Sequence, residues 1–277
     1  MNNTDNKPYS DKIDGIIEAL GQRHSAIVAL SGGVDSALVA ALAHRALGQK
    51  AQAVTIYSPL VSSKDLESAI SIAGEIGIKL TTLELNELDI PGFRANPPNR
   101  CYLCKRFRFE RLKAIAIENG FDTVADGTNV SDLKEYRPGL KVLDELQIYS
   151  PLLKSGLSKD DTRKIADMMR LPISFKPSNP CLATRIPYGQ PIELSKLKRI
   201  EQAEELIRTS TGVKVLRVRD HGNLARIELG EAESDLLSNS ALMRYISQSL
   251  RQLGYTYVTI DLDGYRSGGF DQEYHSK

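Results

Sequence analysis

An excess of either charge is missing from this sequence: 36 Lys and Arg nearly balance 35 Asp and Glu, leaving a net charge of +1 over 277 residues. With no overall basic excess there is no general attraction for nucleic-acid phosphates, and no nucleic-acid partner is expected. Long hydrophobic runs are also missing, and none approaches the roughly 20 residues that cross a bilayer. No membrane partner is therefore expected. Met1–Ser10 is polar and lacks the apolar core of a signal peptide, which predicts a cytoplasmic location. Three cysteines in such a compartment argue against a disulfide framework. The four histidines are scattered, and none is assigned to catalysis. No internal repeat or low-complexity tract is present. The 41% hydrophobic composition and the length suit one large domain, or one medium and one small.

The rest of the chain is arranged around Ala26–Leu30, the loop Ser31-Gly32-Gly33-Val34-Asp35-Ser36, and the Ala- and Leu-rich run Ala37–Leu47. Small apolar residues bounded by Gly read as a buried parallel strand, and the run after Ser36 reads as a helix. Gly32 and Gly33 allow positive φ and close backbone approach. Ser31, Ser36 and the helix N-terminus supply further donors and partial positive charge, so the loop suits phosphate. It is neither a Walker A loop nor a dinucleotide-binding loop, whose glycine spacings are absent. Ser-Gly-Gly-x-Asp-Ser instead resembles the PP-loop of the N-type ATP pyrophosphatases, which split ATP into AMP and pyrophosphate while adenylylating a substrate. Asp35 fits beside a phosphate cradle if Mg²⁺ lies between. The alternative is a Gly-rich turn capped by Asp35 and Ser36. Five specified positions in a strand-loop-helix setting favour the phosphate loop.

Asp11–Gly21 reads as an amphipathic entry helix. Strands follow at Ala53–Tyr57 and Lys79–Leu85, with a helix near Lys64–Ile76 between them. This alternation predicts a right-handed parallel sheet, with ligands at the carboxyl ends of its strands. Asn96-Pro-Pro-Asn-Arg100 leads into Cys101-Tyr-Leu-Cys104-Lys105-Arg106, opening a helix to about Asn119. The helix start and its cations would stabilise thiolates. Reactive sulfur or metal ligation is favoured here; for a lone Cys-x-x-Cys the alternatives are two buried small residues, half of a structural zinc site, or a redox pair. Asp126-Gly127-Thr128-Asn129 ends a strand at the same mouth. Asp126 is a candidate for a ribose hydroxyl or Mg²⁺, against plain turn capping. Ile148–Leu153 reads as a short strand, Ser158 with Asp161 as a capping box, and Met168 with Met169 as core filling. Prolines stiffen the loop Lys176–Gly189, which presents Cys181 in a fixed place.

Beyond Gly189 come a charged helix, Glu193–Thr209, strands Lys214–Arg219 and Leu224–Leu229 about a tight turn, helix Ser240–Leu253 and strand Tyr255–Leu262. The turn makes the first two strands antiparallel. Arg217 and Arg219 share a face by alternation, ordinarily a solvated one.

The PP-loop, the Cys-x-x-Cys with its cations, Asp126-Gly127, Tyr136-Arg137-Pro138-Gly139, Pro180-Cys-Leu-Ala-Thr-Arg-Ile-Pro-Tyr-Gly189, Arg217-Val-Arg219 and Gly264-Tyr-Arg-Ser-Gly268 occur in the order of the LarE family. The resemblance covers about Asp11–Asp271. It implies an ATP-dependent sulfur transferase that converts the carboxylates of a pyridinium dicarboxylate mononucleotide to thiocarboxylates, during synthesis of the nickel-pincer cofactor. In this reading ATP and Mg²⁺ occupy Ser31, Gly32, Gly33, Asp35, Ser36, Asp126 and Gly127. Asp35, Lys105 and Cys181 are catalytic, and Thr184, Arg185, Arg217 and Arg219 hold the substrate phosphate. Members with this cysteine pattern are thought to carry a [4Fe-4S] cluster, here on Cys101, Cys104 and Cys181. Three thiolates leave a fourth iron open for sulfide. That puts a sacrificial, sulfur-surrendering Cys181 in doubt.

The expected architecture is α/β: a doubly wound, mostly parallel sheet over 11–189, with a small α+β domain at 190–277 and a flexible stretch at 1–10. A homo-oligomer and a separate sulfide donor are also expected. The competing readings are a PP-loop tRNA thiolation enzyme, disfavoured by a pI near 7.7, and a non-enzymatic ATP-binding module with a structural zinc on the cysteines and perhaps His221.

Overall fold

A computed structural model describes residues 7–134, 138–174, 179–266 and 270. Tyr136 and Arg137, Lys176 to Ser178, and Ser267 and Gly268, all part of motifs named above, lie outside the described residues. The chain divides into two compact units, Met1–Glu87 with Asn99–Asn179, and Leu88–Pro98 with Pro180–Lys277.

The first unit runs α1 (Lys7–Gly21), β1 (Ala26–Ala29), α2 (Val34–Leu47), β2 (Ala51–Tyr57), α3 (Ser63–Ile76), β3 (Lys79–Glu84), α4 (Arg100–Glu118), β4 (Thr123–Ala125), α5 (Lys141–Glu145), α6 (Pro151–Lys154) and α7 (Lys159–Met168). Its four strands are all parallel in the order β3-β2-β1-β4, with Ala26 level with Ala51 on one side and Thr123 on the other. Both faces are covered, as a parallel sheet requires. Val28, Ala53 and Ala125 pack with Ile16, Leu20, Leu38, Ile72 and Ile165 of α1, α2, α3 and α7. The alternate residues Ile27, Val54 and Val124 pack with Phe109, Leu112 and Ala116 of α4. The sheet is thus doubly wound. Nearly every residue of α2 from Ala37 to Ala43 is fully buried, because that helix is enclosed by sheet and helices together. Helix ends follow local chemistry: Ser62 caps α3, Gly77 closes it at φ 78°, and Ser158 with Asp161 forms the capping box of α7.

Two expectations fail locally. Ile148–Leu153 contributes only an isolated parallel bridge, Ala125 with Tyr149, before Pro151 opens α6. Proline has no N–H for a ladder but suits the first helical position. Of the methionine pair, Met169 packs against the core while Met168 is 38% exposed. Adjacent helical positions point about 100° apart, so one of them faces out.

The second unit contains α8 (Leu194–Thr211), β5 (Leu216–Asp220), β6 (Leu224–Leu229), α9 (Ser240–Gln252) and β7 (Tyr257–Ile260). β5 and β6 are antiparallel about a turn in which Gly222 takes φ 84° and donates to the Asp220 carboxylate, while β7 joins β6 in parallel after the α9 crossover. Leu216, Val218, Ala225 and Ile227 meet Ala203, Ile207, Ile246 and Leu250 in a core of its own. Among the described residues, no helix is long and apolar enough to cross a membrane.

Candidate active site

Leu30 to Gly33 joins the end of β1 to α2, and Val34, Asp35 and Ser36 form the first turn of that helix, so the helix starts three residues earlier than expected. Gly32 has φ 73°, and a Cβ there would lie 2.5 Å from the Asp65 carbonyl oxygen and 3.1 Å from the Ala69 nitrogen, so α3 packs where only glycine fits. Ser36 Oγ accepts from Ser31 N–H at 3.1 Å and donates to the Gly33 carbonyl at 3.0 Å, closing the loop on itself. The helix N-cap is Gly33, and no side chain caps it. Asp35 and Ser36 therefore are not caps, and α2 opens without a side-chain cap.

Gly127 is the second glycine that cannot change. Its Cβ would meet the Ser36 nitrogen at 2.6 Å and the Asp35 carbonyl carbon at 2.8 Å, both backbone atoms. Gly127→Ala is expected to cost about 1–3 kcal/mol of stability and to weaken ATP binding, since the phosphate loop itself must shift. Thermal unfolding together with ATP titration checks this. Wild-type values in both would refute the close approach.

Asp35 is half-buried, and its Oδ1 accepts from Asn129 Nδ2 at 3.1 Å. Burial raises its pKa above the usual carboxylate range, and Asp132 adds to this, while Lys159, Asn129 and Arg163 pull the other way. Lys159 and Arg163 stand four residues apart on α7, so both come from one face of that helix. Sequence reading passed over both. The signal available was their i, i+4 spacing directly after the capping box, which by itself is equally a solvated face.

Asp126, at the end of β4, is buried and occupied. Oδ1 accepts from Ser150 Oγ at 2.5 Å and Oδ2 from Thr128 Oγ1 at 2.5 Å, with Lys105 Nζ 3.6 Å from Oδ2. This carboxylate holds the turn and steers Lys105. Cys101, Cys104, Lys105 and Arg108 recur at i, i+3, i+4 and i+7 along α4, so thiols and cations share one face. Cys101 is exposed and Cys104 half-buried. Arg108 reaches the ends of β2 and β3, donating through Nε to Glu87 Oε1 at 2.6 Å and through an Nη2 hydrogen to Ser58 Oγ at 3.2 Å. Glu87 is fully buried, and no sequence signal marked it.

In the second unit, Arg185 is fully buried and directed inward. Nε and Nη2 grip Glu204 at 2.9 and 3.2 Å, and Nη1 donates to the carbonyls of Pro180 and Cys181 at 2.5 and 3.1 Å. Thr184 Oγ1 also donates to the Cys181 carbonyl, at 2.7 Å. The backbone around half-buried Cys181 is therefore pinned by its own loop. Burial would raise Glu204, but Arg185, Arg208 and Arg217 outweigh it and keep that carboxylate ionised. Arg219 pairs through both outer atoms with Glu228, Nε to Oε1 at 2.9 Å and Nη2 to Oε2 at 2.8 Å, and donates to the Thr184 carbonyl at 2.7 Å. Arg217, level with Glu228 across the strand pair, is buried beneath Tyr265. Burial and then the neighbouring Arg185 push its pKa down to about 10. Arg217 and Arg219 do share a face, but it is a buried one. Among the described residues, no three His, Cys, Asp or Glu side chains are grouped to hold a metal ion.

A doubly wound parallel sheet with Ser-Gly-Gly-x-Asp-Ser between β1 and α2 defines a PP-loop protein, and the NAD synthase family model matches residues 9–96. An uncharacterized protein of Synechocystis is 40% identical over 93% of this chain and 96% of its own length. The pyridinium-3,5-bisthiocarboxylic acid mononucleotide synthase of Lactiplantibacillus plantarum is 34% identical over 91% of each chain. A component of the glutamine-hydrolyzing GMP synthase of Methanococcus maripaludis is 30% identical, but over only 58% of this chain and 55% of its own. The chain belongs to the LarE family, that of the Lactiplantibacillus synthase.

Proposed function

We propose that the chain is an ATP-using sulfur transferase that activates a carboxylate of a pyridinium dicarboxylate mononucleotide and converts it to a thiocarboxylate, in nickel-pincer cofactor synthesis. The observation that carries this reading is the Ser31–Ser36 loop in its strand-loop-helix setting, in a chain matching a thiocarboxylate-forming synthase over 91% of both lengths.

ATP would place its phosphates on the loop N–H groups and the start of α2. The substrate carboxylate attacks the α-phosphorus, the bond to the β-phosphate oxygen breaks, and pyrophosphate leaves with that electron pair. The product is an acyl adenylate. Activation is needed because oxide is a poor leaving group from a carboxylate and AMP a good one; sulfur then displaces AMP. Lys105, steered by Asp126, and Lys159 with Arg163 on α7 place positive charge around the loop, where negative charge builds on the transferred phosphoryl group and on pyrophosphate.

A hard, half-buried carboxylate beside a phosphate loop fits Mg²⁺, so Asp35 would hold it, and the ion would neutralise phosphate charge. The thiols of Cys101 and Cys104 in the first two turns of α4, with the thiol of Cys181, are the proposed cluster ligands; they are the soft donors that iron-sulfur chemistry needs, and a cluster held by them would supply sulfide. Thr184, Arg185, Arg217 and Arg219 are the proposed phosphate-binding group. Of these Arg185 and Thr184 act by holding the loop, and Arg217 and Arg219 are the proposed anion contacts.

The test is the product pair. Incubation with ATP and the pyridinium dicarboxylate mononucleotide is expected to release AMP and pyrophosphate, and ADP with phosphate would sink the assignment. In the same assay Lys159→Gln should slow pyrophosphate release by about 10- to 100-fold, for the loss of one charged contact in the transition state. An unchanged rate would remove α7 from the mechanism.

A further inference from the structure

The motif Gly264-Tyr265-Arg266 follows β7 and is left unused by the chemistry above. Gly264 takes φ 68°, and a Cβ there would stand 2.8 Å from the Leu229 carbonyl oxygen, so the chain doubles back against the end of β6 only because that position is glycine. Tyr265 N–H then donates to that same carbonyl at 2.8 Å. The outcome is a half-buried ring whose centroid lies 4.8 Å from the Arg217 guanidinium carbon.

We propose that Tyr265 is a positioning residue for the substrate phosphate, holding the plane of the Arg217 guanidinium so that its N–H edge meets the anion. The inference rests on the reading of Arg217 as a phosphate ligand. A guanidinium carries its charge in a plane with all five donors at the rim. An aromatic face laid against that plane is attracted by the cation and leaves the rim open for a planar, two-pronged contact. The backbone on both sides is constrained, Arg217 within a paired strand and Tyr265 through the Leu229 carbonyl, so the ring has little freedom to leave. Arg217 also donates to the Leu216 carbonyl at 2.6 Å, which fixes one end of the fork, and the ring lies over the plane of the guanidinium. The depressed pKa of Arg217 is in keeping with a buried guanidinium: burial and Arg185 lower it, and Glu204 and Tyr265 pull the other way. The contribution belongs to the ring and not to the phenol hydroxyl.

The experiment is calorimetric titration of the full chain with the pyridinium dicarboxylate mononucleotide and with the same compound lacking its phosphate. The wild type should prefer the phosphorylated form. Tyr265→Leu, and as a second ring-less variant Tyr265→Met, should lose about tenfold of that preference, with ATP affinity unchanged. Tyr265→Phe should retain it. The proposal is overturned if the ring-less variants keep the wild-type preference, if Tyr265→Phe loses as much as they do, or if both compounds weaken equally. Arg217→Gln separates the two levels. Loss of preference there with none in Tyr265→Leu overturns the role of Tyr265 alone, whereas a preference surviving Arg217→Gln overturns the phosphate reading and this inference together.

Discussion

Asp35→Asn should abolish ATP turnover while making the protein without ligand more resistant to heat. The two effects have one cause. Burial raises the Asp35 pKa, so the folded state binds that proton more tightly than the unfolded chain does. The stability linked to this proton is present in full below the unfolded pKa and is lost as pH rises through the folded one. At neutral pH the ionised carboxylate is therefore a net cost, which Asn removes while its side-chain oxygen still accepts from Asn129. Each kcal/mol relieved should raise Tm by about 2–4 °C. The same substitution removes the anionic donor proposed for Mg²⁺, and a metal's charge stabilisation is worth several kcal/mol, so pyrophosphate release should fall by at least about 100-fold. Scanning calorimetry and a pyrophosphate assay on one preparation decide the matter. A lower Tm would contradict the burial argument, and a normal rate would remove Asp35 from the site.

Anaerobically isolated protein is expected to be brown, with about four irons and four inorganic sulfides per chain. Cys101→Ser combined with Cys104→Ser should lose iron and thiocarboxylate formation but still release AMP and pyrophosphate. The separation follows from placement. The thiol pair sits in the first two turns of α4, while the phosphate loop is built by β1 and α2 and closed by Ser36 and Gly127, none of which depends on a thiol. Iron and sulfide analysis beside the nucleotide assay tests it. A colourless protein that stays so after reconstitution, folds, and binds one zinc per chain would establish the structural-zinc alternative instead.

Much of this was legible in the chain itself. The alternation of short apolar runs with amphipathic stretches determined a parallel sheet covered on both faces, because those periodicities follow from backbone geometry alone. Ser31–Ser36, the capping box at Ser158 and the antiparallel pair about Gly222 are local too: each depends on residues within a few positions of one another. The order of the motifs carried the family. Where the reading failed locally, at Ile148–Leu153, proline's missing N–H outweighed apolar character.

The placement of charge, by contrast, was settled by packing between distant segments. That Arg217 and Arg219 share a face follows from alternation, but whether water or protein covers that face depends on what packs above it. Glu204 and Arg185, Glu228 and Arg219, and Glu87 and Arg108 lie 19, 9 and 21 residues apart. A buried arginine and a solvated one look identical in sequence, because the cost of burying charge is set by the partner that packing brings to it. The same holds for Asp126, whose carboxylate accepts from Ser150 and Thr128, and for Lys159, whose charge folding brings to bear on Asp35 from a distant part of the chain.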